Sequence, residues 1–219
     1  MSSERRSAPS LGVGPYERTY VGIDVGEKTL AAVAPAGTPG EAVEVGAEGR
    51  IRGYWNHLRK TTQLLSETPG VPANAEAAVL ASEWRRMREH LEEVIDDVLD
   101  VVEQHPHPIL VREEFNSSPT AAWCHRHSRE LGGWLIPTLI EAIDQEAAAR
   151  GVDVVGVEPD WSSQVCHRCL ERGRLERETF RCQNESCGVD YLDRDVNAAL
   201  VLADRGRYGH RRRFREVNR

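Results

Sequence analysis

Apolar residues near the start of the chain form runs broken by short polar stretches, a pattern typical of buried strands. Residues 19–35, TYVGIDVGEKTLAAVAP, predict a buried strand, a tight turn that carries Gly26, and a second strand that returns beside the first. Ala42 to Val45, together with the segment up to Ile51, predicts a third strand. Antiparallel strands followed by helices are typical of an α/β domain.

The middle of the chain has helical periodicity. From Trp84 to Val102 the apolar residues fall on one stripe and charged residues cover the other side, which predicts a long amphipathic helix. The sequence HPHP at 105–108 ends it, and Ile109 to Val111 predict a short strand. A second helix is predicted from about Ser128 to Arg150.

The last third of the chain predicts one more strand, a cysteine-rich segment and a final helix. The strand is Val152 to Val157, and the helix is Asp195 to Asp204, DVNAALVLAD. We expect five regions: a disordered N-terminus at 1–18, the first part of a core at 19–159, a metal-binding ribbon at 160–190, the last core helix at 191–205 and a basic tail at 206–219.

Overall charge does not indicate a nucleic-acid-binding protein, because 35 acidic residues outnumber 28 Lys and Arg and the net charge is −7. The C-terminal end of the chain differs, since residues 205–219 contain seven arginines and His210 but a single acidic residue, Glu216. The tail is therefore either a phosphate-contacting surface whose binding weakens with salt or a solvated segment. The candidate contact residues are Arg205, Arg207, Arg211, Arg212, Arg213 and Arg215.

Cysteine spacing is the strongest chemical signal. No stretch near the start has the length of a signal peptide or a membrane span, so we expect an intracellular, cytoplasmic protein in which cysteines bind metal rather than form disulfides. Cys166-x2-Cys169 and Cys182-x4-Cys187, twelve residues apart, predict a tetrahedral zinc site. Four thiolates leave no open coordination position, so this zinc would be structural. Cys124 stands apart and is expected to be a spare thiol.

Carboxylates recur at the ends of predicted core elements. Asp24 follows an apolar strand in GIDVG, Glu113 and Glu114 follow another, and Asp193 and Asp195 lie where the final helix opens. Each has an ordinary explanation: a turn for Asp24, strand-end solvation for the glutamates and helix capping for the aspartates. Together they could hold two Mg²⁺ or Mn²⁺ ions about 4 Å apart, the arrangement that hydrolyses phosphodiesters.

The order of these motifs resembles one known family. The succession GIDVG, EEFN, VEPDWSSQVCHRC, CQNESCG and DRDVNAA is similar to that of the TnpB family of transposon-encoded, RNA-guided nucleases, the OrfB zinc-ribbon proteins related to compact type V CRISPR effectors. The resemblance runs from about Thr19 to Arg205. It implies an RNase H-like (RuvC-type) mixed sheet flanked by helices, with an inserted four-cysteine zinc ribbon.

The resemblance also implies roles for individual residues. The three catalytic, magnesium-binding positions fall on Asp24, Glu113 and Asp195, and the residues after Glu113 that complete that motif are Glu114, Phe115 and Asn116. Asp193 is then a neighbour rather than a ligand. The zinc positions fall on Cys166, Cys169, Cys182 and Cys187.

The function that the resemblance implies is a DNA endonuclease, guided by RNA and associated with transposition in the prokaryotic nucleoid. Full-length family members carry a large N-terminal region that binds guide RNA, whereas about twenty residues precede the first motif here. We therefore expect a truncated copy, a domesticated derivative or one part of a system with a separate targeting or transposase subunit. The alternative is a catalytically silent protein of the same fold that binds DNA or RNA. An actin-like ATPase, suggested by GIDVG alone, is disfavoured because the chain lacks a second lobe and a second glycine-rich loop.

Overall fold

Strands and helices alternate along the part of the chain that the computed structural model describes, which is residues 18–26, 28–46, 49–115, 124–126 and 131–208. The strands are β1 (Thr19–Val25), β2 (Ala31–Pro35), β3 (Val43–Val45), β4 (Pro108–Glu113), β5 (Asp153–Val157), β6 (Arg174–Glu176), β7 (Thr179–Arg181) and β8 (Tyr191–Asp193). The α-helices are α1 (Arg50–Glu67), α2 (Ala73–Glu103), α3 (Leu131–Ala149) and α4 (Arg194–Tyr208). A short 3-10 helix lies at Pro39–Glu41.

A five-stranded mixed sheet forms the centre, in the order β3-β2-β1-β4-β5. The pairs β1–β2 and β2–β3 are antiparallel, whereas β1–β4 and β4–β5 are parallel. Gly22 lies opposite Val111 in the β1–β4 pair, so these two neighbouring strands end at the same edge of the sheet. The predicted mixed α/β sheet with flanking helices is confirmed.

The two faces of the sheet are covered by different helices. Val21 and Ile23 of β1 are buried in the large core that α2 and α3 form on one face. Gly22 points to the other face, where a Cβ atom would lie 1.9 Å from the carbonyl oxygen of Ala199 in α4. Side chains alternate between faces along a strand, so the glycine allows α4 to lie directly on β1.

The segment after β3 departs from the sequence prediction. The expected strand reaching Ile51 is wrong, because β3 ends at Val45 and Arg50 begins α1, an unpredicted helix. Gly49, at φ 63°, adopts the left-handed conformation that separates the two elements. Ile51 and Leu58 are buried on one side of α1 at helical spacing, so packing against the core stabilises this helix.

The other predicted elements are present with shifted ends. The long helix α2 starts at Ala73, eleven residues before the predicted Trp84. The final helix α4 begins one residue earlier and ends four residues later than predicted. Of the described helices, none has both the length and the apolar character needed to cross a membrane.

The cysteine-rich segment folds as a small three-stranded antiparallel sheet in the order β6-β7-β8. Its buried centre consists of Phe180 with the cysteines. Gly173 faces this ring, and a Cβ atom there would lie 2.3 Å from Phe180 Cζ. We call residues 160–193 the ribbon, and its last strand runs directly into α4.

Candidate active site and metal centre

Asp24 and Glu113 lie at the ends of the adjacent parallel strands β1 and β4. The β1–β4 pairing ends with Gly22 opposite Val111, and Asp24 and Glu113 each lie two residues beyond that pair, so continuing the register would bring them opposite one another. Adjacent strands are about 4.8 Å apart, and both residues alternate onto the face that α4 covers. Two acidic side chains distant in sequence thus meet at one edge of the sheet.

Asp195 reaches the same edge from α4, the helix that lies on Gly22. Its neighbour Asp193 has a different role. Asp193 Oδ1 accepts hydrogen bonds from the backbone N–H groups of Asp195 at 2.7 Å and Val196 at 3.2 Å. These are the contacts of a helix N-cap. Asp193 therefore orients the start of α4, while the Asp195 side chain lies beside Asp24 and is 14 % exposed.

Asp24 lies within the electrostatic influence of the other two carboxylates. The pKa of Asp24 is raised well above its ordinary value by burial, and next by the negative charges of Asp195 and Glu113. Burial also raises the pKa of Glu113. Crowded carboxylates of this kind are stabilised when a cation neutralises them.

Ser162 and Arg205 stabilise the charged form of Glu113. The buried hydroxyl of Ser162 donates a hydrogen bond to Glu113 Oε1 at 3.0 Å, and this bond, like the charge of Arg205, lowers the carboxyl pKa against the larger effect of burial. In the sequence analysis Ser162 appears only as part of the motif VEPDWSSQVCHRC. A small hydroxyl residue next to a predicted zinc knuckle is the signal that could have indicated a role for Ser162. Its partner Glu113 lies 49 residues earlier, so the sequence does not reveal the hydrogen bond.

Arg194 holds Asp195 in this structure. Its Nε and Nη2 atoms lie 2.8 and 2.7 Å from Asp195 Oδ1, and its charge also lowers the pKa of Asp24. Sequence reasoning assigned Arg194 no role. The guanidinium offsets part of the negative charge at the carboxylates.

A small cavity of about 20 Å³ borders the carboxylates, between Asp24 and Glu113 on the sheet and Ile136 and Ile140 on α3. In the described part of the chain, the three carboxylates do not form a group whose ligand atoms all lie within 4.8 Å of one another, as the four cysteines do. Glu114 follows β4 and is exposed, and Phe115 borders the cavity. Asn116 lies outside the described residues.

The four cysteines form a cluster that fits one metal ion. Sγ of Cys166 is 3.7 Å from that of Cys187, and Sγ of Cys169 is 3.6 Å from that of Cys182. A tetrahedron with metal–sulfur bonds of about 2.3 Å has sulfur–sulfur edges of about 3.8 Å, so these distances suit zinc. Cys124 is buried elsewhere, with its Sγ 3.9 Å from the carbonyl oxygen of Gly132.

Thiol acidity in the cluster is consistent with a need for a cation. Burial raises the pKa of Cys166 and raises that of Cys169 to about 11. Burial also opposes ionisation of Cys187, but hydrogen bonds from the neighbouring thiols lower its pKa overall. Cys166 and Cys169 would thus remain protonated near neutral pH without a metal, and metal binding would release their protons.

Asn197 connects the ribbon to the last helix. It is fully buried in α4, and its Nδ2 donates to the carbonyl oxygen of Val165 at 2.8 Å while its Oδ1 accepts from the backbone N–H of His167 at 3.2 Å. Both atoms of the amide are therefore satisfied by the first cysteine knuckle. The residue that bonds the first cysteine knuckle therefore lies only two positions from Asp195 along the chain.

The predicted phosphate-contacting arginines fall into three groups. Arg205 lies in α4 and donates to the carbonyl oxygens of Glu158 and Asp160, so it fastens the loop after β5. Arg207 is exposed near the end of α4, with its guanidinium 5.3 Å from the ring centre of Tyr208. The others lie outside the described residues: Arg211, Arg212, Arg213 and Arg215.

Sequence comparisons match the C-terminal part of the chain to compact CRISPR nucleases. Residues 137–202 match the family model described as the Cas12f1-like TNB domain. Over 74 residues the chain is 36% identical to the CRISPR-associated endodeoxyribonuclease Cas12f2 of Micrarchaeota archaeon (strain CG1_02_47_40), covering 32% of this chain and 13% of that protein.

Structural comparisons extend the likeness to most of the fold. A Cas12f1–sgRNA–target DNA complex matches 90% of this chain and 51% of its own chain, with a TM-score of 0.59 and 16% identity. A CRISPR-Cas12f ternary complex matches 90% of this chain and 40% of its own, with a TM-score of 0.58 and 17% identity. The mini-RNA-guided endonuclease Cas_phi3 gives a TM-score of 0.51 at 11% identity, covering 87% and 45%.

These likenesses show that the chain shares the fold of the solved Cas12f structures and that residues 137–202 are similar to the Cas12f1-like TNB domain. The chain spans about half or less of each solved relative and about an eighth of the curated one.

Proposed function

We propose that this chain is the catalytic portion of a TnpB-like, RNA-guided DNA endonuclease, with an RNase H-like (RuvC-type) core and an inserted zinc ribbon. The observation that carries the proposal is the meeting of Asp24, Glu113 and Asp195, from three distant segments, at one edge of the sheet. The strand order β3-β2-β1-β4-β5, antiparallel and then parallel, supports the RNase H-like description.

The three carboxylates are the residues that would hold divalent ions. When bound, Mg²⁺ or Mn²⁺ supplies a metal-activated water and stabilises the departing 3′ oxygen in phosphodiester hydrolysis. The chain itself fixes the carboxylates: β1 and β4 hold Asp24 and Glu113, Asp193 orients the helix that carries Asp195, and Ser162 orients Glu113.

Zinc in the ribbon would have a structural role. Four sulfurs complete a tetrahedral coordination sphere, so Cys166, Cys169, Cys182 and Cys187 leave no position for a water molecule. Ser162 of the ribbon bonds Glu113 at the carboxylate edge, and the carbonyl of Val165 in the ribbon bonds Asn197 of α4. We therefore propose that the ribbon stabilises the active site.

The partners that fit this function are target DNA, a guide RNA and a separate targeting or transposase subunit. The solved relatives include complexes with guide RNA and target DNA, which supports nucleic-acid partners. We propose that the protein acts on DNA in the prokaryotic cytoplasm, at the nucleoid.

A cleavage assay with matched carboxylate variants tests the mechanism. Zinc-loaded protein is incubated with labelled single- and double-stranded DNA and Mg²⁺ or Mn²⁺, and co-purified RNA is measured in the same sample. Asp24→Asn, Glu113→Gln and Asp195→Asn should each lower cleavage at least about 100-fold, the upper end of what loss of an outer-shell partner causes. Glu114→Gln, at an exposed neighbour, should retain activity.

The opposite pattern would point to the alternative. If wild-type protein binds nucleic acid as tightly as the Asp24 and Asp195 variants and none of them cuts it, the chain is a binding module of the same fold. If Glu114→Gln abolishes cleavage and Glu113→Gln does not, the assignment of Glu113 is wrong.

A further inference from the structure

The loop between β5 and the first cysteine pair exposes an aromatic ring beside the carboxylates. Trp161 is 47 % exposed, and the guanidinium of Arg172 lies 3.8 Å from the centre of its ring. We propose that Trp161, supported by Arg172, is a stacking platform for an unpaired base of the strand that is cut. The proposal rests on the nuclease function and specifies how its substrate is held.

Position is the first argument. The residue after Trp161 is Ser162, whose hydroxyl bonds Glu113 Oε1 at 3.0 Å. Consecutive Cα atoms are about 3.8 Å apart, which puts the Trp161 Cα within about 10 Å of the Glu113 carboxylate. Nucleotides in a stacked strand rise about 3.4 Å each, so a base on Trp161 would lie on the order of three steps from the carboxylates.

Backbone conformation is the second argument. Trp161 has φ 62°, a left-handed conformation that is rare and unfavourable for a bulky side chain. The loop is held there because the Trp161 carbonyl accepts from the backbone N–H groups of Gln164 at 2.8 Å and Val165 at 3.1 Å. Arg205 also binds the carbonyl of Asp160. Strained residues persist only where neighbouring contacts enforce them, and they concentrate at ligand-binding sites. The structure therefore fixes the backbone of the loop that exposes this ring, and the Arg172 guanidinium contacts the ring itself.

The combination of aromatic ring and cation is the third argument, and it identifies the occupant. Proteins bind single-stranded nucleic acid by stacking bases on aromatic rings while cations contact the backbone. Arg172 is itself exposed, and its backbone is held by an isolated antiparallel β-bridge to Val165. Bases within a duplex have no free face for such stacking, so the geometry selects an unpaired strand.

Binding assays without Mg²⁺ or Mn²⁺ test the platform apart from catalysis. Fluorescence anisotropy measures the affinity of zinc-loaded, full-length protein for a short labelled single-stranded oligodeoxynucleotide. Trp161→Leu should weaken binding roughly 5- to 150-fold, the effect of losing one base–aromatic stack. Trp161→Phe, which keeps an aromatic face, should lose much less. Trp84→Leu, at a 37 % exposed tryptophan on α2, should bind like wild type.

A scan with single abasic sites separates stacking from a structural role. One abasic position should weaken binding to wild type but not to Trp161→Leu, because the variant has already lost the stack. Equal losses for both proteins at every position, or wild-type affinity in Trp161→Leu, would overturn the platform. Wild-type cleavage together with unchanged binding by the variant would refute the platform alone, whereas wild-type protein that neither binds nor cuts would refute the nuclease function as well.

Discussion

At the scale of single residues, the most informative group is Asp24. Its pKa is raised by burial and by Asp195 and Glu113, and the charge of Arg194 offsets only part of this increase. A carboxylate placed where ionisation is unfavourable opposes folding in the absence of a bound cation. The same placement favours binding of divalent cations, because the ion removes the repulsion.

We predict that Asp24→Asn stabilises the metal-ion-free protein in a pH-dependent manner. In the unfolded chain Asp24 ionises near pH 3.9, whereas in the folded protein it holds its proton to higher pH. Between those two pH values the folded state binds more protons, so the free energy of unfolding of wild type falls as pH rises, and the loss persists above the folded-state pKa. Each unit by which the pKa is raised corresponds to about 1.4 kcal/mol.

Urea unfolding of the zinc-loaded proteins across a pH series measures this effect. Asp24→Asn should be more stable than wild type near neutral pH, and the difference should vanish below about pH 4. Added Mg²⁺ should stabilise wild type more than the variant, because Asp24 is a proposed Mg²⁺ ligand. An ion that binds the folded state raises the free energy of unfolding. If the free energy of unfolding changes with pH in the same way for both proteins, the pKa of Asp24 is not raised in the folded protein. The exposed Glu114→Gln serves as the control.

At the scale of elements, the contact between β1 and α4 positions the third carboxylate. A Cβ atom on Gly22 would lie 1.9 Å from the Ala199 carbonyl oxygen and 2.7 Å from the Ala203 nitrogen, both backbone atoms of the helix. Neither atom can move without moving α4. The distance between Asp24 and Asp195 therefore depends on the absence of a side chain at residue 22.

We predict that Gly22→Ala destabilises the protein by about 3 kcal/mol, the upper end of the usual cost of overpacking, and strongly reduces cleavage. Thermal or urea unfolding measures the first effect, and the DNA cleavage assay measures the second. Gly40→Ala is the matched control, since a Cβ atom there meets nothing within 4 Å and surface changes usually stay within about 0.5 kcal/mol. Unchanged stability of Gly22→Ala would contradict the close packing of α4 on β1.

Elements with strong periodicity were predictable, and contacts between distant segments were not. The pattern of apolar residues in the sequence predicted the strands around Asp24 and Glu113 and the amphipathic part of α2. Helix α1 was missed because only Ile51 and Leu58 are buried, too few to reveal its period without its packing partner. The bond from Ser162 to Glu113 depends on how the ribbon docks, which local sequence does not encode. Arg205 was predicted from charge alone to contact phosphate, whereas its guanidinium binds loop carbonyls.

At the scale of the whole molecule, the ribbon and the core are connected by polar contacts. Asn197 of α4 bonds the first cysteine knuckle, Ser162 of the ribbon bonds Glu113, and the backbone N–H of Arg194 donates to the carbonyl oxygen of Glu178 at 2.7 Å. The ribbon has little apolar core besides Phe180 and the cysteines. Its order should therefore depend on the metal, and the order of the carboxylate edge should depend on the ribbon.

We predict that Cys166→Ser removes zinc and lowers DNA cleavage at least about 10-fold, although no cysteine lies among the carboxylates. Binding of structural zinc supplies about 10–16 kcal/mol in zinc-finger peptides, far more than the small ribbon core can replace. Loss of the ion should expose the ribbon to limited proteolysis, leave the Asn197 amide without partners and free Glu113 from Ser162. Cys124→Ser, outside the cluster, should retain one zinc per chain and wild-type cleavage. Elemental analysis gives the zinc content, and full activity in a zinc-free, protease-sensitive Cys166→Ser protein would show that the ribbon does not support the active site.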